Sequence, residues 1–265
     1  MTSHKPSDER TEEEWREYLS HPDSMHTFGR HVFARIPSHP RCQLCAAPFA
    51  GVGGPLMRLV GKRQSRSSPN MCNSCERELV KRRGGAEVDG SLLFADIRGS
   101  TTLAERVTPG EFKALLGRFY TTATECVVER GGIVDKFVGD ELVAVFPPFL
   151  GERHAERAVA AAQALLRATG HGNPEGPWVP LGAGVHTGRV WFGAIGDGGH
   201  LEITVVGDVV NTTARLAARA AAGEILVSSD AATAAGLDVT LERTSLELKG
   251  KQRATDVVTL RVGHP

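Results

Sequence analysis

The chain has 265 residues, of which 41% are hydrophobic and 23% are charged, and its 31 basic side chains balance its 31 acidic ones. This composition is close to the average for soluble globular proteins, so it excludes a disordered chain and a small disulfide scaffold. No apolar run approaches the roughly 18 residues that a membrane span needs, and the polar N-terminus is not typical of a secretion signal. We therefore expect a cytoplasmic protein that does not engage a membrane.

The charge is distributed unevenly along the chain. The first 23 residues carry a net charge of −4, residues 24–85 carry 11 basic and 2 acidic side chains, and the remainder carries −5. A short helix is predicted over Thr11–Leu19, because acidic residues in its first turn suit the helix dipole. The composition predicts three segments: an N-terminal helix and connector (1–40), a small basic module (41–85) and a larger domain (89–265).

The basic module contains two closely spaced pairs of cysteines. Cys42 and Cys45 form one Cys-x-x-Cys knuckle, and Cys72 and Cys75 form a second one after 26 intervening residues. Two such knuckles suit tetrahedral Zn²⁺ and resemble a zinc ribbon. An iron–sulfur cluster and a redox switch are the alternatives. The positive charge is typical of a solvated basic face, with an acidic partner or nucleic acid as the alternatives.

From Ser91 onward the pattern of apolar residues becomes regular. It predicts a strand (Ser91–Asp96), a helix (Pro109–Arg130), a β-hairpin (Ile133–Val138 and Leu142–Phe146), a second helix (Arg153–Thr169) and a further strand (Leu181–Thr187). This order is the split βαβ arrangement of a ferredoxin-like α+β domain. We then expect an extended run, a strand, a helix, a strand, a short helix and two final strands, the first three over Val190–Ile195, Ile203–Val206 and Val209–Ala222.

Two aspartates are placed together by this topology. In a split βαβ sheet the third strand lies antiparallel to the first, so Asp96, which ends the first strand, and Asp140, in the hairpin turn, meet at one edge. Two carboxylates at one edge repel each other unless a cation lies between them, and their oxygen atoms suit Mg²⁺. The small residues after Asp96 predict a turn whose amides can bind phosphate. Taken singly, Asp96 is better explained as a helix-start residue and Asp140 as a hairpin-turn residue.

Three further side chains are candidates for nucleotide binding. Lys136 lies on the strand that enters the hairpin turn, where a solvated lysine is the ordinary alternative. Asn211 and Arg215 are four residues apart on a predicted helix and therefore share a face. An amide and a forked cation can hold a ribose oxygen and a phosphate, although a capping asparagine and a surface arginine would look the same.

Four ordered motifs together resemble a known family. FADIRGST, DKFVGDELVAVF, GVHTGRVWFGAIG and ITVVGDVVNTTARLAARA are similar, in order and spacing, to the class III nucleotide cyclase catalytic domain. The resemblance covers roughly Asp89 to Val262. It implies a head-to-tail homodimer that converts ATP to 3′,5′-cyclic AMP and pyrophosphate, with each active site built from both subunits and holding two Mg²⁺ or Mn²⁺ ions.

The resemblance also implies a role for each matching residue. Metal binding falls to Asp96, Asp140 and Ile97, and phosphate binding to the amides of Ile97, Arg98, Gly99, Ser100 and Thr101. The purine is read by Lys136 and Thr204, the transition state is met by Asn211 and Arg215, and the terminal phosphates are contacted by Lys249. Many family members carry Asp where this chain has Thr204, so the chain resembles the Lys/Thr subgroup, some of whose members respond to bicarbonate.

The residues favour an adenylate cyclase over three alternatives. A lysine ammonium only donates hydrogen bonds, so Lys136 suits the acceptor N1 of adenine and not the protonated N1 of guanine. Since the Thr204 hydroxyl can both donate and accept, a guanylate cyclase stays open. A diguanylate cyclase is a further rival because VGDEL resembles its signature turn. A non-catalytic nucleic-acid-binding or scaffold protein with a cyclase-like domain is the last alternative.

Overall fold

The computed structural model describes residues 6–20, 29–30, 32–33, 35–36, 40–66, 71–81, 84–195, 202–248 and 254–262. The chain divides into two compact units. The smaller unit contains Met1–Asp89, Pro147–Glu152 and Val190–Val206, and the larger one contains Gly90–Phe146, Arg153–Arg189 and Gly207–Pro265. None of the helices in the described ranges has the length and apolar character that crossing a membrane requires.

The described helices and strands alternate along most of the chain. In chain order they are α1 (Pro6–Ser20), α2 (Gly53–Leu59), α3 (Asn73–Lys81), β1 (Gly85–Ile97), α4 (Ser100–Arg106), α5 (Pro109–Glu129), β2 (Ile133–Val138), β3 (Glu141–Phe146), a 3-10 helix (Pro148–Leu150), α6 (His154–Ala168), β4 (Leu181–Ile195), β5 (Glu202–Val206), α7 (Asp208–Arg219), β6 (Glu224–Ser228), α8 (Ser229–Ala234), β7 (Arg243–Leu246) and β8 (Thr255–Arg261).

The larger unit is built on a mixed sheet with the strand order β2-β3-β1-β4-β6-β8-β7. Strands β2 and β3 form an antiparallel hairpin, and β3 also pairs antiparallel with β1, with Ser91 opposite Phe146 and Asp96 opposite Glu141. Strand β4 pairs parallel with β6. The order β2-β3-β1-β4 confirms the predicted split βαβ arrangement, and the whole chain has the predicted α+β fold class.

Both faces of this sheet are covered by helices. Alternate residues of a strand point to opposite faces, and β6 shows the consequence. Ile225 and Val227 join the main core with residues of α5 and α6, whereas Leu226 packs with Leu216 of α7 on the other face. Helix α7 approaches closely because Gly184 of β4 has no side chain; a Cβ atom there would lie 2.4 Å from the Ala217 nitrogen.

The start of α5 shows how local sequence fixes a helix boundary. Thr108 is the N-cap, and its hydroxyl accepts a hydrogen bond from the Glu111 amide while the Glu111 carboxylate accepts one from the Thr108 amide. This capping box, with Pro109 in the first turn, satisfies amides that would otherwise have no partner. The helix therefore begins at Pro109, as the sequence predicts.

The smaller unit combines the cysteine-containing segment with a two-stranded ribbon. Strand β5 pairs antiparallel with the end of β4, with Phe192 opposite Val205. Helix α1 buries Trp15 and Leu19, and its Tyr18 ring stacks on Phe149 with 5.6 Å between the ring centroids. Helix α1 thus extends the predicted Thr11–Leu19 helix at both ends and gains its stability from aromatic packing.

Helix α7 ends at Arg219 instead of the predicted Ala222, and two strands also differ from the sequence prediction. The runs Leu181–Thr187 and Val190–Ile195, predicted as separate pieces, form one strand, β4. Strand β1 begins at Gly85, earlier than the predicted Ser91, and the Gly84 carbonyl accepts a hydrogen bond from the Ala194 amide. A strand that continues through glycine depends on a neighbouring backbone to pair with, and the apolar pattern of one segment does not contain that information.

Candidate active site

Three carboxylates meet at one end of the β1–β3 pair in the larger unit. Asp96 lies near the end of β1 directly opposite Glu141 of β3, and Asp140 occupies the hairpin turn just before Glu141. The antiparallel pairing therefore brings Asp96 and Asp140 together, as the sequence predicts. Glu141 was not among the predicted site residues, although its place next to Asp140 in the sequence marks it as a neighbour of the same edge.

Burial and neighbouring carboxylates raise the pKa of Asp96 and of Glu141. Burial and a hydrogen bond between Asp96 and Asp140 raise the pKa of Asp96 to about 6, although the Arg98 guanidinium opposes the rise. Burial raises the pKa of Glu141 to about 7, and the charges of Asp96 and Asp140 add to it. A cation between the carboxylates would relieve this repulsion, because it favours their charged forms. The oxygen atoms at this edge thus fit a hard divalent cation such as Mg²⁺.

Arg98 anchors this edge to the end of helix α7. Its guanidinium forms an ion pair with the Asp96 carboxylate and donates to the carbonyl oxygens of Ala218 and Ala220, at 3.1 and 3.4 Å. The sequence analysis assigned only a backbone role to Arg98. Its side-chain role depends on the distant C-terminal end of α7 and is therefore absent from the local sequence pattern.

The turn after Asp96 supplies fewer free amides than the resemblance implies. The Arg98 amide donates to the Pro180 carbonyl oxygen at 2.8 Å, and the Ile97 amide donates to the Asp96 carboxylate. Gly99 has a φ of 72°, a conformation that glycine adopts without strain, and Ser100 begins α4. The amides from Gly99 to Thr101 are accordingly the ones best placed to receive a phosphate.

Tyr120 of α5 holds the hairpin turn in place. Its hydroxyl donates to the Gly139 carbonyl oxygen, and its ring stacks on Phe137 with centroids 3.9 Å apart. Gly139 has a φ of 61°, which the tight turn requires. Burial and the charge of Asp140 raise the pKa of the Tyr120 hydroxyl. Tyr120 is a supporting residue that the sequence analysis did not find, since its contact with the turn spans 19 residues.

Lys136 lies on β2, next to a β-bulge in that strand. The register shifts between Val134 and Lys136, so Asp135 is an extra residue in the ladder. The Lys136 ammonium lies 3.7 Å from the Asp135 carboxylate, whose side chain is 4% exposed while that of Lys136 is 37% exposed. The bulge thus places a buried anion beside the exposed cation.

The other predicted nucleotide-binding residues are on α7, on β5 and in the segment after β7. Asn211 is exposed and Arg215 is half-buried on α7, and among the described residues neither forms a hydrogen bond or ion pair with Asp96 or Asp140. Thr204 lies on β5 in the smaller unit, 7% exposed and opposite Gly193. Lys249 is outside the described residues.

The four paired cysteines form a compact buried cluster in the smaller unit. Their sulfur atoms all lie within 4.8 Å of one another, and those of Cys45 and Cys72 are 3.8 Å apart. A tetrahedral zinc ion with Zn–S bonds of about 2.3 Å requires sulfur atoms about 3.8 Å apart. The spacing therefore fits a single tetrahedral ion, as predicted for Cys42, Cys45, Cys72 and Cys75.

The surroundings of the cluster favour thiolates at two of its positions. The hydrogen bond with Cys42 is the main reason why the pKa of Cys45 is lowered to about 7 and that of Cys72 lies well below its ordinary value. The Lys62 ammonium lies 3.8 Å from the Cys45 sulfur, and the Cys72 amide donates to the Cys42 sulfur at 3.2 Å. Thiolates, which metals require as ligands, are thus matched by donors and a positive charge.

Comparison with known proteins identifies the family. The sequence model of one protein family, the adenylate and guanylate cyclase catalytic domain, matches residues 87–260, well over half of the chain. The chain belongs to this family. Its class III cyclase fold, expected from the four motifs, is thereby confirmed, and the carboxylate edge described above lies inside the matched region.

Individual relatives include both adenylate and guanylate cyclases. An adenylate cyclase of Anabaena cylindrica is 31% identical over 131 residues, 48% of this chain and 26% of that protein. The crystal structure of the guanylyl cyclase Cya2 superposes with a TM-score of 0.59 at 30% identity, covering 69% of this chain and 96% of that one. The adenylyl cyclase CyaB from P. aeruginosa gives 0.57 at 25% identity, covering 66% and 94%.

The chain spans about a quarter of the Anabaena protein, so the similarity concerns the cyclase domain alone. The cysteine cluster lies before the matched residues, which begin at position 87. Family membership therefore supports a cyclase reaction for residues 87–260. It does not identify the nucleotide that is cyclised or the role of the cysteine module.

Proposed function

We propose that the protein is an adenylate cyclase that converts ATP to 3′,5′-cyclic AMP and pyrophosphate. The observation that carries the proposal is the juxtaposition of Asp96 and Asp140 at one sheet edge, in a class III cyclase domain. These carboxylates would hold two Mg²⁺ or Mn²⁺ ions. When bound, such ions neutralise the triphosphate and lower the pKa of the ribose 3′-hydroxyl.

The remaining residues would bind and orient ATP. The ribose 3′-oxygen attacks the α-phosphorus, a new P–O bond forms, the bond to the bridging oxygen of the β-phosphate breaks, and the hydroxyl proton passes to solvent. The guanidinium of Arg215 would meet charge that grows on the α-phosphoryl oxygens, while the Asn211 amide orients the ribose. The amides from Gly99 to Thr101 and Lys249 would contact phosphates.

The active site would be shared between two copies of the chain. In the head-to-tail arrangement that the resemblance implies, the carboxylate edge of one subunit faces Asn211 and Arg215 of the other. Two observations are consistent with a site shared between subunits. Asn211 is exposed, and within the part of the chain described neither Asn211 nor Arg215 forms a hydrogen bond with Asp96 or Asp140. A homodimer would then contain two equivalent sites.

Base selection rests on Lys136 and Thr204. The Lys136 ammonium would donate to N1 of adenine, and the Thr204 hydroxyl would accept from the adenine amino group. A guanylate cyclase is the second candidate, because Cya2, whose structure is 30% identical to this chain, is a guanylyl cyclase. The hydroxyl of Thr204 is compatible with either purine, so Lys136 carries the preference for ATP.

The cysteine cluster would hold one structural Zn²⁺ ion. The ion would be ligated by Cys42, Cys45, Cys72 and Cys75, with Lys62 offsetting the negative charge of the thiolates. The segment lacks a large apolar core of its own, so metal binding would supply much of its stability. Elemental analysis of protein purified without added metal tests this: about one zinc per chain supports it, whereas iron, or no metal under reducing conditions, contradicts it.

A product assay tests the proposed reaction. Full-length protein is incubated with ATP or GTP and either Mg²⁺ or Mn²⁺, and the products are identified by mass spectrometry. Cyclic AMP as the main product supports the proposal. Cyclic GMP alone would favour the guanylate cyclase, cyclic di-GMP the diguanylate cyclase, and the absence of any product with a correctly folded, metal-loaded protein would favour a non-catalytic role.

A further inference from the structure

Helix α2 of the smaller unit presents an apolar stripe to solvent. We define the stripe as Val52, Leu56, Leu59 and Val60, whose exposed fractions are 88%, 53%, 85% and 63%. Single exposed apolar residues are ordinary on protein surfaces, but four large ones within nine residues of sequence are typical of an interaction site. The stripe lies outside the cyclase match, which starts at residue 87, and the proposed reaction does not use it.

The spacing of the stripe is that of a buried helix face. Its members are separated by four, three and one residues, which places them on one side of a helix. The opposite side is the one that packs inward, through Gly53, Gly54 and Met57. The inward packing is tight, since a Cβ atom at Gly54 would lie 2.6 Å from the Phe49 carbonyl oxygen. Helix α2 therefore cannot rotate to bury the stripe without losing this contact.

Basic residues accompany the stripe in the sequence, and the acidic Glu76 that follows them accepts a hydrogen bond from the Ser65 hydroxyl at 2.6 Å. No acidic residue occurs between Gly51 and Cys75, whereas the exposed Arg58, Arg63 and Arg66 all fall in this interval. An exposed apolar stripe in a segment rich in exposed cations is complementary to a surface that is apolar beneath and anionic above. Anionic phospholipid headgroups over acyl chains have this character.

We propose that the stripe docks on an anionic phospholipid surface, with its leucines and valines entering the headgroup and acyl boundary and Arg58, Arg63 and Arg66 contacting lipid phosphates. The protruding side chains need no complementary pocket in a bilayer. A second copy of the chain fits less well, because it would bring like charges together and because four side chains fall far short of the 20–30 residues a side of a stable interface. Docking on a lipid surface contradicts the sequence-based expectation of no membrane contact, which rested on the lack of a spanning segment and did not consider surface binding.

Vesicle binding tests the proposal. Full-length protein is sedimented with vesicles of equal parts phosphatidylglycerol and phosphatidylcholine, or of phosphatidylcholine alone. We expect binding to the anionic vesicles only, weakened by salt. Leu59→Asp should reduce the affinity at least about tenfold. Arg63→Gln should reduce it about fivefold. Val239→Asp is the matched control, because Val239 is 83% exposed in the larger unit and should bind like wild type.

Several outcomes would overturn the proposal. Lack of binding to anionic vesicles would do so, as would equal losses in Leu59→Asp and Val239→Asp. A concentration-dependent doubling of mass in light scattering that Leu59→Asp abolishes would assign the stripe to a second copy. Zinc content and circular dichroism of each variant report whether the module is folded, and Leu59→Ser provides a milder substitution at the same position. Cyclase activity plays no part in the readout, so the result is independent of the proposed reaction.

Discussion

Removing the charge of Asp96 should stabilise the metal-free protein while preventing its response to Mg²⁺. The Asp96→Asn side chain keeps an oxygen that can accept from the Arg98 guanidinium, so the main change is the loss of the negative charge beside Asp140. In the folded protein the pKa of Asp96 is raised from 3.8 to about 6. Ionising this group thus disfavours the folded state, increasingly so from pH 3.8 to about pH 6.

The pKa gives the size and the pH range of the effect. For an acid whose pKa is raised by folding, the destabilisation is absent below the unfolded pKa, grows between pH 3.8 and about 6, and stays constant above. The full rise would correspond to about 3 kcal/mol. Since the side chain is 30% exposed, solvent reduces this, and we expect a gain of about 1–2 kcal/mol at pH 8. The melting temperature should increase by about 2–8 °C.

Thermal unfolding at pH 5 and pH 8, with and without Mg²⁺, measures this effect. At pH 8 without metal, Asp96→Asn should melt above wild type, and the difference should shrink at pH 5. Added Mg²⁺ should raise the melting temperature of wild type but not that of Asp96→Asn. Glu141→Gln is the matched variant, because it removes another raised-pKa carboxylate from the same edge. It should also stabilise the metal-free protein but retain a response to Mg²⁺.

Two results would refute this reasoning. Destabilisation by Asp96→Asn at pH 8 without metal would show that the carboxylates do not repel in the folded protein. An undiminished rise in melting temperature of Asp96→Asn on adding Mg²⁺ would show that the ion binds elsewhere. Loss of turnover without either thermal effect would leave the catalytic role intact but contradict the electrostatic account.

Four other predictions follow from the same residues. Asp96→Ala and Asn211→Ala homodimers should each be nearly inactive. Subunit exchange between them should restore up to about half of wild-type activity per mixed dimer, because one of the two shared sites then carries neither substitution. If the activity stays at the sum of the two variants, with exchange shown by a tag pull-down, each site lies within one chain. Lys136→Glu should lower kcat/KM for ATP at least about tenfold, and unchanged steady-state kinetics would mean that the purine is read elsewhere. Cys42→Ser should lower zinc content and destabilise the cysteine module, as elemental analysis and limited proteolysis would reveal; full retention of zinc would exclude Cys42 as a ligand. Gly184→Ala should destabilise the folded chain by about 1–3 kcal/mol, because its Cβ would lie 2.4 Å from the Ala217 nitrogen; an unchanged denaturation midpoint would mean that α7 shifts at no cost.

The sequence by itself determined the order of most strands and helices after Gly85 and the pairing of the two aspartates, but it predicted neither α2 nor α3. Hydrophobic periodicity reports which face of an element is apolar, and turn residues report where it ends, so the hairpin at Gly139 and the helix start at Pro109 were predictable. The antiparallel relation of β1 and β3 follows from that order and places Asp96 near Asp140. The close cysteine pairs likewise predicted the cluster that the structure forms.

The tertiary structure decided which side chains support the site and which faces are covered. The contacts of Arg98 with the end of α7 and of Tyr120 with Gly139 join residues that are far apart in sequence, so no local pattern encodes them. The stripe of Leu56 and Leu59 has the spacing of a core face, yet it is exposed, because Gly53 and Gly54 allow the other side of α2 to pack inward. Periodicity identifies an apolar face, but only the neighbouring elements determine whether protein, solvent or another surface covers it.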